Sequence, residues 1–228
     1  MRMRKTLFKL LLLGMAVVFL NGKSMAQNLH FGLYVEPLIS WFGSDTDATV
    51  SDGARPGMAF GISLERYFAR NYAFTGGISI TNAAGRLRHN QDMLIWLKDT
   101  TEPLDAGDKI TYKISYLSLP VGIKLKTNTI SYTIFSADIG VSPKIIVGGK
   151  ASIPSLQIEK ESITQELKFF ALGYYIKLGA EYPLGGRTAF TGGIGYENVF
   201  SDVTKDRDGQ PGDRVSHHII LIKMGLNF

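Results

Sequence analysis

The feature that most constrains the fold of this chain is a two-residue alternation of apolar side chains with small or polar ones. Near the C-terminus, Ile220, Ile222, Met224, Leu226 and Phe228 occupy every second position. Comparable alternation runs through residues 58–65, 117–126 and 170–182. Successive side chains of a β-strand point to opposite faces, so each segment predicts a strand with one apolar face and one small or charged face. Helical periodicity is scarce, and the pattern therefore predicts an all-β fold.

Eight such strands can be counted along the chain. They are predicted at residues 28–42, 56–67, 72–86, 108–126, 129–147, 166–183, 188–200 and 214–228. The connections alternate in length. Short turns are predicted at Phe68–Asn71, Thr127–Asn128 and Leu184–Arg187. Long polar loops are predicted at Gly43–Arg55, Leu87–Gly107, Gly148–Gln165 and Ser201–Asp213.

A repeated hexapeptide supports this arrangement. The stretch AFTGGI runs from Ala73 to Ile78 and again from Ala189 to Ile194, 116 residues later. Each copy follows a short turn, and Glu65 and Glu181, also 116 residues apart, lie near the end of the preceding strand. The glycines are expected where the sheet curves sharply. A phosphate-binding glycine loop is the weaker interpretation, because the sequence predicts no helix after either copy.

The N-terminus predicts export. Arg2, Arg4 and Lys5 precede an apolar run from Leu10 to Leu20, and small residues lead up to Ala26. This order is typical of a signal peptide over residues 1–26, with a barrel domain over residues 27–228. An uncleaved membrane anchor is the alternative, although the apolar run is short for a spanning helix.

Charge and composition exclude several functions. The chain has 25 basic and 20 acidic residues, and five of the basic ones fall within residues 1–26, which leaves 20 of each in the mature chain. A neutral chain gives no support for nucleic-acid binding. There are no cysteines, which excludes disulfides, thiolate metal sites and cysteine nucleophiles.

Four features place the predicted barrel in a membrane. The N-terminus predicts export, and the strand number is even, with short turns at one end and long loops at the other. Aromatic residues cluster near the expected interfaces, and the last strand ends on the aromatic Phe228. We therefore predict an eight-stranded antiparallel up-and-down transmembrane β-barrel in the cell outer membrane, with short periplasmic turns, long extracellular loops and outer-membrane lipid around it. A soluble barrel that binds an apolar ligand is the alternative.

The face opposite the apolar one then lines the lumen and carries mixed charges. The predicted inward charges are Glu36, Glu65, Lys124, Asp138, Lys177, Glu181, Glu197 and Lys223. An eight-stranded barrel is just wide enough for side chains to fill it, so these charges are expected to form a structural ion-pair network. Lys177 and Glu181 are expected to share that network. A proton or ion path is the functional alternative.

The layout resembles the PorT-like outer-membrane β-barrel family of Bacteroidetes. The residues that carry the resemblance are MAQN at the signal cleavage site, the segment ISYLSLPVGIKLK (Ile114 to Lys126) and the terminal IKMGLNF. The resemblance implies a barrel without catalytic residues, and for one branch of the family a part in secretion across the outer membrane.

Few sequence patterns indicate a catalytic or metal-binding site. Ser216 and His218 share a strand face and form the only candidate hydrolase pair, whereas His217 points to the opposite face. In the segment 202–213, Asp206, Asp208 and Gly209 resemble part of a calcium loop. The first and twelfth ligand positions, however, hold Thr204 and Val215, so an ordinary turn is favoured.

The segment Met93–Asp99 (MLIWLKD) is unusually apolar for a loop. It predicts either a strand extension packed on the barrel rim or a docking surface for a partner.

Three classes of function remain. The first is a non-enzymatic outer-membrane barrel without a cofactor, which binds a partner through its loops or assists secretion or envelope assembly. The second is a small lipid-modifying enzyme. The third is the soluble ligand-binding barrel. A pore is disfavoured by the strand number.

Overall fold

Eight antiparallel strand positions form a closed ring in the computed structural model, which describes residues 29–97, 100–205 and 212–228. The strands are β1 (Leu29–Ser44), β2 (Thr49–Ala69), β3 (Tyr72–His89), β4 (Met93–Trp96), β5 (Thr101–Leu104), β6 (Lys109–Ser118), β7 (Val121–Lys126), β8 (Ile134–Ile153), β9 (Ile158–Ser162), β10 (Phe170–Gly185), β11 (Thr188–Val199) and β12 (Val215–Asn227). β6 and β7 together occupy the fourth position, and β12 pairs with β1 to close the ring. The predicted eight-stranded antiparallel barrel is confirmed. The signal-peptide prediction falls outside the described residues.

The outer surface carries a broad apolar band. Ile62, Ile139 and Ile194 are each more than half exposed although they are large and aliphatic. Aromatic side chains edge the band near the short turns, among them Phe31, Phe68, Tyr72, Phe74, Phe135, Tyr182 and Phe190. Apolar exposure on this scale requires a covering, and hydrocarbon supplies it around a closed barrel. Among the described residues, no helix has the length and apolar character needed to span a membrane.

Several predicted boundaries were wrong at the end of the barrel that carries the long loops, called the loop end below. β2 begins at Thr49 instead of residue 56, so the predicted loop Gly43–Arg55 shrinks to a connection over residues 45–48. β3 continues to His89 and β8 to Ile153, into two other predicted loops. Beyond the apolar band the outer side chains are polar, so the alternation of hydrophobicity fades while strand pairing continues.

The second short turn is also longer than the sequence predicts. The predicted turn Thr127–Asn128 is a longer connection over residues 127–133, and β8 begins at Ile134 instead of residue 129. Ser131 and Tyr132 have positive φ angles of 46° and 69°, and a bridge from Ile130 to Thr133 closes the turn. Two consecutive positive φ angles fit the two-residue hairpin turns whose twist matches that of the strands.

The fourth strand position, predicted as one strand over residues 108–126, is interrupted at Leu119 and Pro120. Proline has no backbone N–H to donate to a neighbouring strand. The Leu119 N–H still donates to the Pro143 carbonyl at 2.9 Å. The ring therefore stays closed across the break, with β6 above it and β7 below.

The two AFTGGI copies occupy equivalent places in the barrel, as the repeat predicts. A Cβ atom on Gly77 would lie 2.5 Å from the Ile62 carbonyl oxygen, and one on Gly193 would lie 2.4 Å from the Leu178 carbonyl oxygen. Both contacts are too short for any side chain. The glycines therefore let the backbones of neighbouring strands approach closely where the wall curves.

The interior is divided into two layers. Charged side chains fill the half nearer the short turns, whereas the half nearer the loop end is apolar. The apolar layer includes Leu38, Phe42, Leu87, Ile110, Tyr112, Ile114, Ile153, Ile219 and Leu221. Leu221 faces inward, as the alternation of β12 predicts. It packs in this apolar layer at its border with the charges, because its register partner Gly195 pairs in turn with Lys177.

The long connections fold into a compact cap over the loop end. The cap consists of the β4–β5 hairpin, a 3-10 turn (Pro154–Leu156), β9 and the loop-end extensions of the barrel strands. Met93, Ile95 and Leu97 are buried and join the apolar layer of the lumen, while Lys98 and Asp99 lie outside the described residues. The backbone N–H of Trp96 donates to the Glu166 carboxylate at 2.7 Å. The apolar segment that begins at Met93 thus packs on the barrel rim.

Candidate functional site in the barrel lumen

The sequence repeat builds the centre of the lumen. Glu65 pairs in register with Thr75, and Glu181 pairs in register with Thr191, so the two AFTGGI copies place the two glutamates at the same height. Lys124 on β7 reaches both of them: its Nζ lies 2.5 Å from Glu65 Oε1 and 2.7 Å from Glu181 Oε1. All three side chains are buried. One cation thus joins the two repeat units across the lumen.

Lys126 extends this cluster toward the short turns. Its Nζ lies 2.6 Å from Glu181 Oε2 and 3.6 Å from Glu65 Oε2. The Tyr67 hydroxyl donates to Glu65 Oε2 at 2.8 Å. Two lysines and two glutamates therefore balance in charge, and the buried carboxylate oxygens have partners. Beyond Lys126 and Tyr67 the lumen opens into a cavity of about 550 Å³ at the short-turn end.

Two further ion pairs lie nearer the apolar layer. Lys177 Nζ is 2.6 Å from Glu36 Oε1, and Lys144 Nζ is 2.9 Å from Glu197 Oε1. Lys144 also donates to the Ser118 hydroxyl at 2.8 Å. Lys177 and Glu181, which were expected to share one network, have different ion-pair partners: Glu36 for the lysine, and Lys124 and Lys126 for the glutamate.

Asp138 and Lys223 also lie in the lumen, but neither forms an ion pair within 4 Å among the described residues. Asp138 accepts hydrogen bonds from the Thr75 hydroxyl at 3.1 Å and the Tyr175 hydroxyl at 3.3 Å. Lys223 Nζ lies 4.7 Å from the centre of the Tyr34 ring. These groups line two small cavities of about 30 Å³ each, room for about one water molecule in each.

Two lumen lysines were missed by the sequence analysis. Lys126 has the same parity as Lys124 on its strand, and Lys144 has the same parity as Asp138 on β8. The alternation could therefore have placed both inward. Lys144 lies next to the apolar residues Ile145, Ile146 and Val147 in the sequence, yet it is almost fully buried.

A buried histidine marks the boundary between the layers. His217 is fully buried, its Nδ1 lies 2.8 Å from the Tyr116 hydroxyl, and its ring lies 4.2 Å from that of Phe42. Farther toward the cap, His89 is hydrogen-bonded to Thr49 at 3.3 Å. Burial lowers the pKa of His89 to about 4, so this ring is neutral at pH 7.

The candidate hydrolase pair lies on the outside of the barrel. Ser216 Oγ is 3.2 Å from His218 Nε2, and the same hydroxyl donates to the Gly43 carbonyl at 3.2 Å. Nδ1 of His218 faces the Tyr196 hydroxyl at 2.8 Å and the Asn198 amide nitrogen at 3.1 Å. Within the described ranges no carboxylate contacts this histidine. The third group that would orient a catalytic histidine is thus a phenol or an amide.

The part of the chain that the structure describes holds no cluster of three or more metal-ligating side chains. Asp206, Asp208 and Gly209, the calcium-loop candidates, lie outside that part.

A closed antiparallel ring with an apolar outer band and an ion-paired interior defines a transmembrane β-barrel protein. The family model "Outer membrane protein beta-barrel domain" matches residues 25–205, and the chain belongs to that family. A search among curated proteins found no match.

Several solved structures of outer-membrane proteins are similar to this chain at low sequence identity. Neisserial surface protein A is 10% identical with a TM-score of 0.48, and the match covers 88% of this chain and 96% of that chain. OprG from Pseudomonas aeruginosa is 12% identical with a TM-score of 0.46 and coverage of 88% and 94%. The attachment invasion locus protein Ail of Yersinia pestis is 14% identical with a TM-score of 0.43 and coverage of 89% and 100%.

Proposed function

We propose that this protein is a non-enzymatic outer-membrane barrel with a non-conducting lumen, and that it binds a partner through its cap. The observation that carries the proposal is that two different layers block the lumen in series. Ion-paired side chains fill one half, and the apolar layer fills the other and continues into the cap. A lumen filled in this way is not available to a ligand, and the cap is a folded surface outside the apolar band.

The blocked lumen argues against transport. An ion on its way through would have to displace Lys124 from two glutamates and then cross the apolar layer. Breaking a buried ion pair and desolvating an ion are both costly. The eight charges predicted to face inward serve in this proposal as a structural network.

The resemblance to PorT-like barrels of Bacteroidetes favours a role in secretion or envelope assembly. Membership in the outer-membrane barrel family agrees with such a role, and with other roles of a membrane-bound barrel. Lipid modification by Ser216 and His218 is the second candidate, which their 3.2 Å contact favours. The absence of a carboxylate beside His218 among the described residues makes it the weaker one.

Export through a cleaved signal peptide belongs to the same proposal. We expect the mature protein to begin at Gln27 and to fractionate with the outer membrane. N-terminal sequencing of the protein from isolated membranes checks the first point, and heat-modifiable migration on gels checks assembly. Recovery of the protein in the soluble periplasmic fraction would contradict the membrane location.

The cap is expected to be the surface that contacts a partner in the cell. A photo-crosslinking amino acid at position 91 or 159, both exposed in the cap, should form specific adducts. Position 132 is the matched control, because Tyr132 is highly exposed in a short turn at the opposite end. Adducts are detected on denaturing gels and identified by mass spectrometry.

Two results would contradict the proposal. Adducts from position 132 alone would show that the partner binds at the periplasmic side. A steady ohmic conductance of the purified protein in planar bilayers would show that the lumen is open and would make transport the leading function.

A further inference from the structure

A basic face lies on the outer surface of β3, β6 and β8, on the loop-end side of the apolar band. It consists of Arg86 and Arg88 on β3, Lys109 and Lys113 on β6, and Lys150 on β8. Their neighbours Leu87, His89, Ile110, Ile114 and Ala151 are buried, so alternation turns the five basic side chains outward.

Register brings these charges against each other. Arg88 is directly opposite Lys109, and Lys113 is directly opposite Lys150. Like charges in directly opposed positions destabilise a sheet. Two such pairs on adjacent strands therefore point to a function other than stability of the sheet.

Among the described residues, one acidic side chain forms ion pairs with this face. Asp52 lies 3.1 Å from Lys109 Nζ and 3.7 Å from Arg86 Nη1. Among the residues that the structure describes, no carboxylate lies within 4 Å of the charged atoms of Arg88, Lys113 or Lys150. The basic face thus has an excess of positive charge in the free protein.

The height of the basic face matches the level of lipid headgroups. On β8, Lys150 lies three residues beyond Val147, and Val147 is 58% exposed in the apolar band. On β6, Lys113 lies two outward positions beyond Leu117, and each such step is about 7 Å along a strand. Lys113 is thus about 14 Å beyond Leu117 along its tilted strand, where its alkyl stem can reach back toward the apolar band while the ammonium group stays in the polar layer.

The other side of the barrel differs at its loop end. There Trp41 stacks on His218 with ring centres 5.4 Å apart, and Tyr174 contacts Phe200. Aromatic side chains of this kind anchor a barrel at the interface without selecting charge. The two directly opposed like-charge pairs, Arg88 with Lys109 and Lys113 with Lys150, therefore distinguish the β3–β6–β8 side of the barrel.

We propose that the basic face binds the phosphate groups of an anionic glycolipid in the outer leaflet. The phosphates would lie between Lys113 and Lys150 and toward Arg88 and Lys109, and the acyl chains would cover the apolar band near Val147. A lipid fits better than a soluble anion because the charged and apolar surfaces are continuous. This inference does not depend on the partner of the cap.

The test compares two double variants in detergent solution, with bisphosphorylated lipid A as the probe. K113Q/K150Q removes one like-charge pair. R70Q/R187Q removes the same number of charges from exposed short turns at the opposite end. We expect K113Q/K150Q to weaken lipid A binding by about tenfold or more, and R70Q/R187Q to bind as the unchanged protein does. Binding is followed by native mass spectrometry and by the rise in Tm with lipid.

A second readout separates binding from structural support. Without lipid, K113Q/K150Q is expected to melt at the same temperature as the unchanged protein or higher, because a repulsion is removed. The proposal is overturned if K113Q/K150Q binds lipid A normally, or if dephosphorylated lipid A binds equally well. It is also overturned if inorganic phosphate saturates the face at the concentrations at which lipid A does.

Discussion

Replacing Lys124 with methionine is expected to lower the free energy of unfolding by about 3–5 kcal/mol, the usual cost of removing one partner from a buried ion pair. Methionine fills similar space, but Glu65 and Glu181 would then face each other with only Lys126 between them. The loss is measured by urea unfolding in lipid vesicles, with the heat-modifiable gel shift as the readout.

The matched variant is K124M with Glu65→Gln. It removes one charge of each sign and leaves Glu181 paired with Lys126 at 2.6 Å. We expect this double variant to be more stable than K124M alone, because no buried carboxylate is left without a cation. The comparison also needs Glu65→Gln alone. If the loss of stability in the double variant equals the sum of the losses in the two single variants, the lysine and the glutamate are not coupled and the arrangement of the cluster is wrong.

Ile222→Lys is expected to destabilise the barrel by about 2–4 kcal/mol, the cost of a lysine at the middle of a bilayer. Ile222 is 54% exposed and lies near the middle of the apolar band on β12. The lysine stem is too short to reach water easily from that depth. Folding yield into vesicles and urea unfolding both report the effect.

The control for depth is Leu184→Lys. Leu184 is 58% exposed and lies at the end of β10, next to the turn at Gly185 and Gly186. A lysine there reaches the interface, so the expected loss is below about 1 kcal/mol. Equal losses for the two variants would show that the apolar band does not face hydrocarbon in the assumed register.

The number of strands and the face of each side chain could be predicted from the sequence, because both depend on local periodicity. The alternation in β12 places Ile222 outward and Leu221 inward regardless of what surrounds the strand. The repeat likewise places Glu65 and Glu181 at equivalent positions before two AFTGGI copies. These features depend only on residues that are close together in the sequence.

Strand ends at the cap could not be predicted in the same way. Residues 49–55 are strand in the structure although their composition of Ser, Asp, Gly and Arg is typical of a loop. A strand outside the bilayer has a polar outer face, so hydrophobic contrast no longer marks it. Pairing of Thr49 with His89 continues the ladder into the cap.

Alternation along the sequence alone determined that this chain forms an eight-stranded barrel with charges inside and apolar residues outside. The tertiary structure decided which charges meet. Lys177 on β10 pairs with Glu36 on β1, and Lys124 on β7 joins Glu65 to Glu181, although these strands are not neighbours in the ring. Periodicity specifies the face of a side chain but not its position around the ring. Contacts across the lumen depend on closure, strand stagger and side-chain length together.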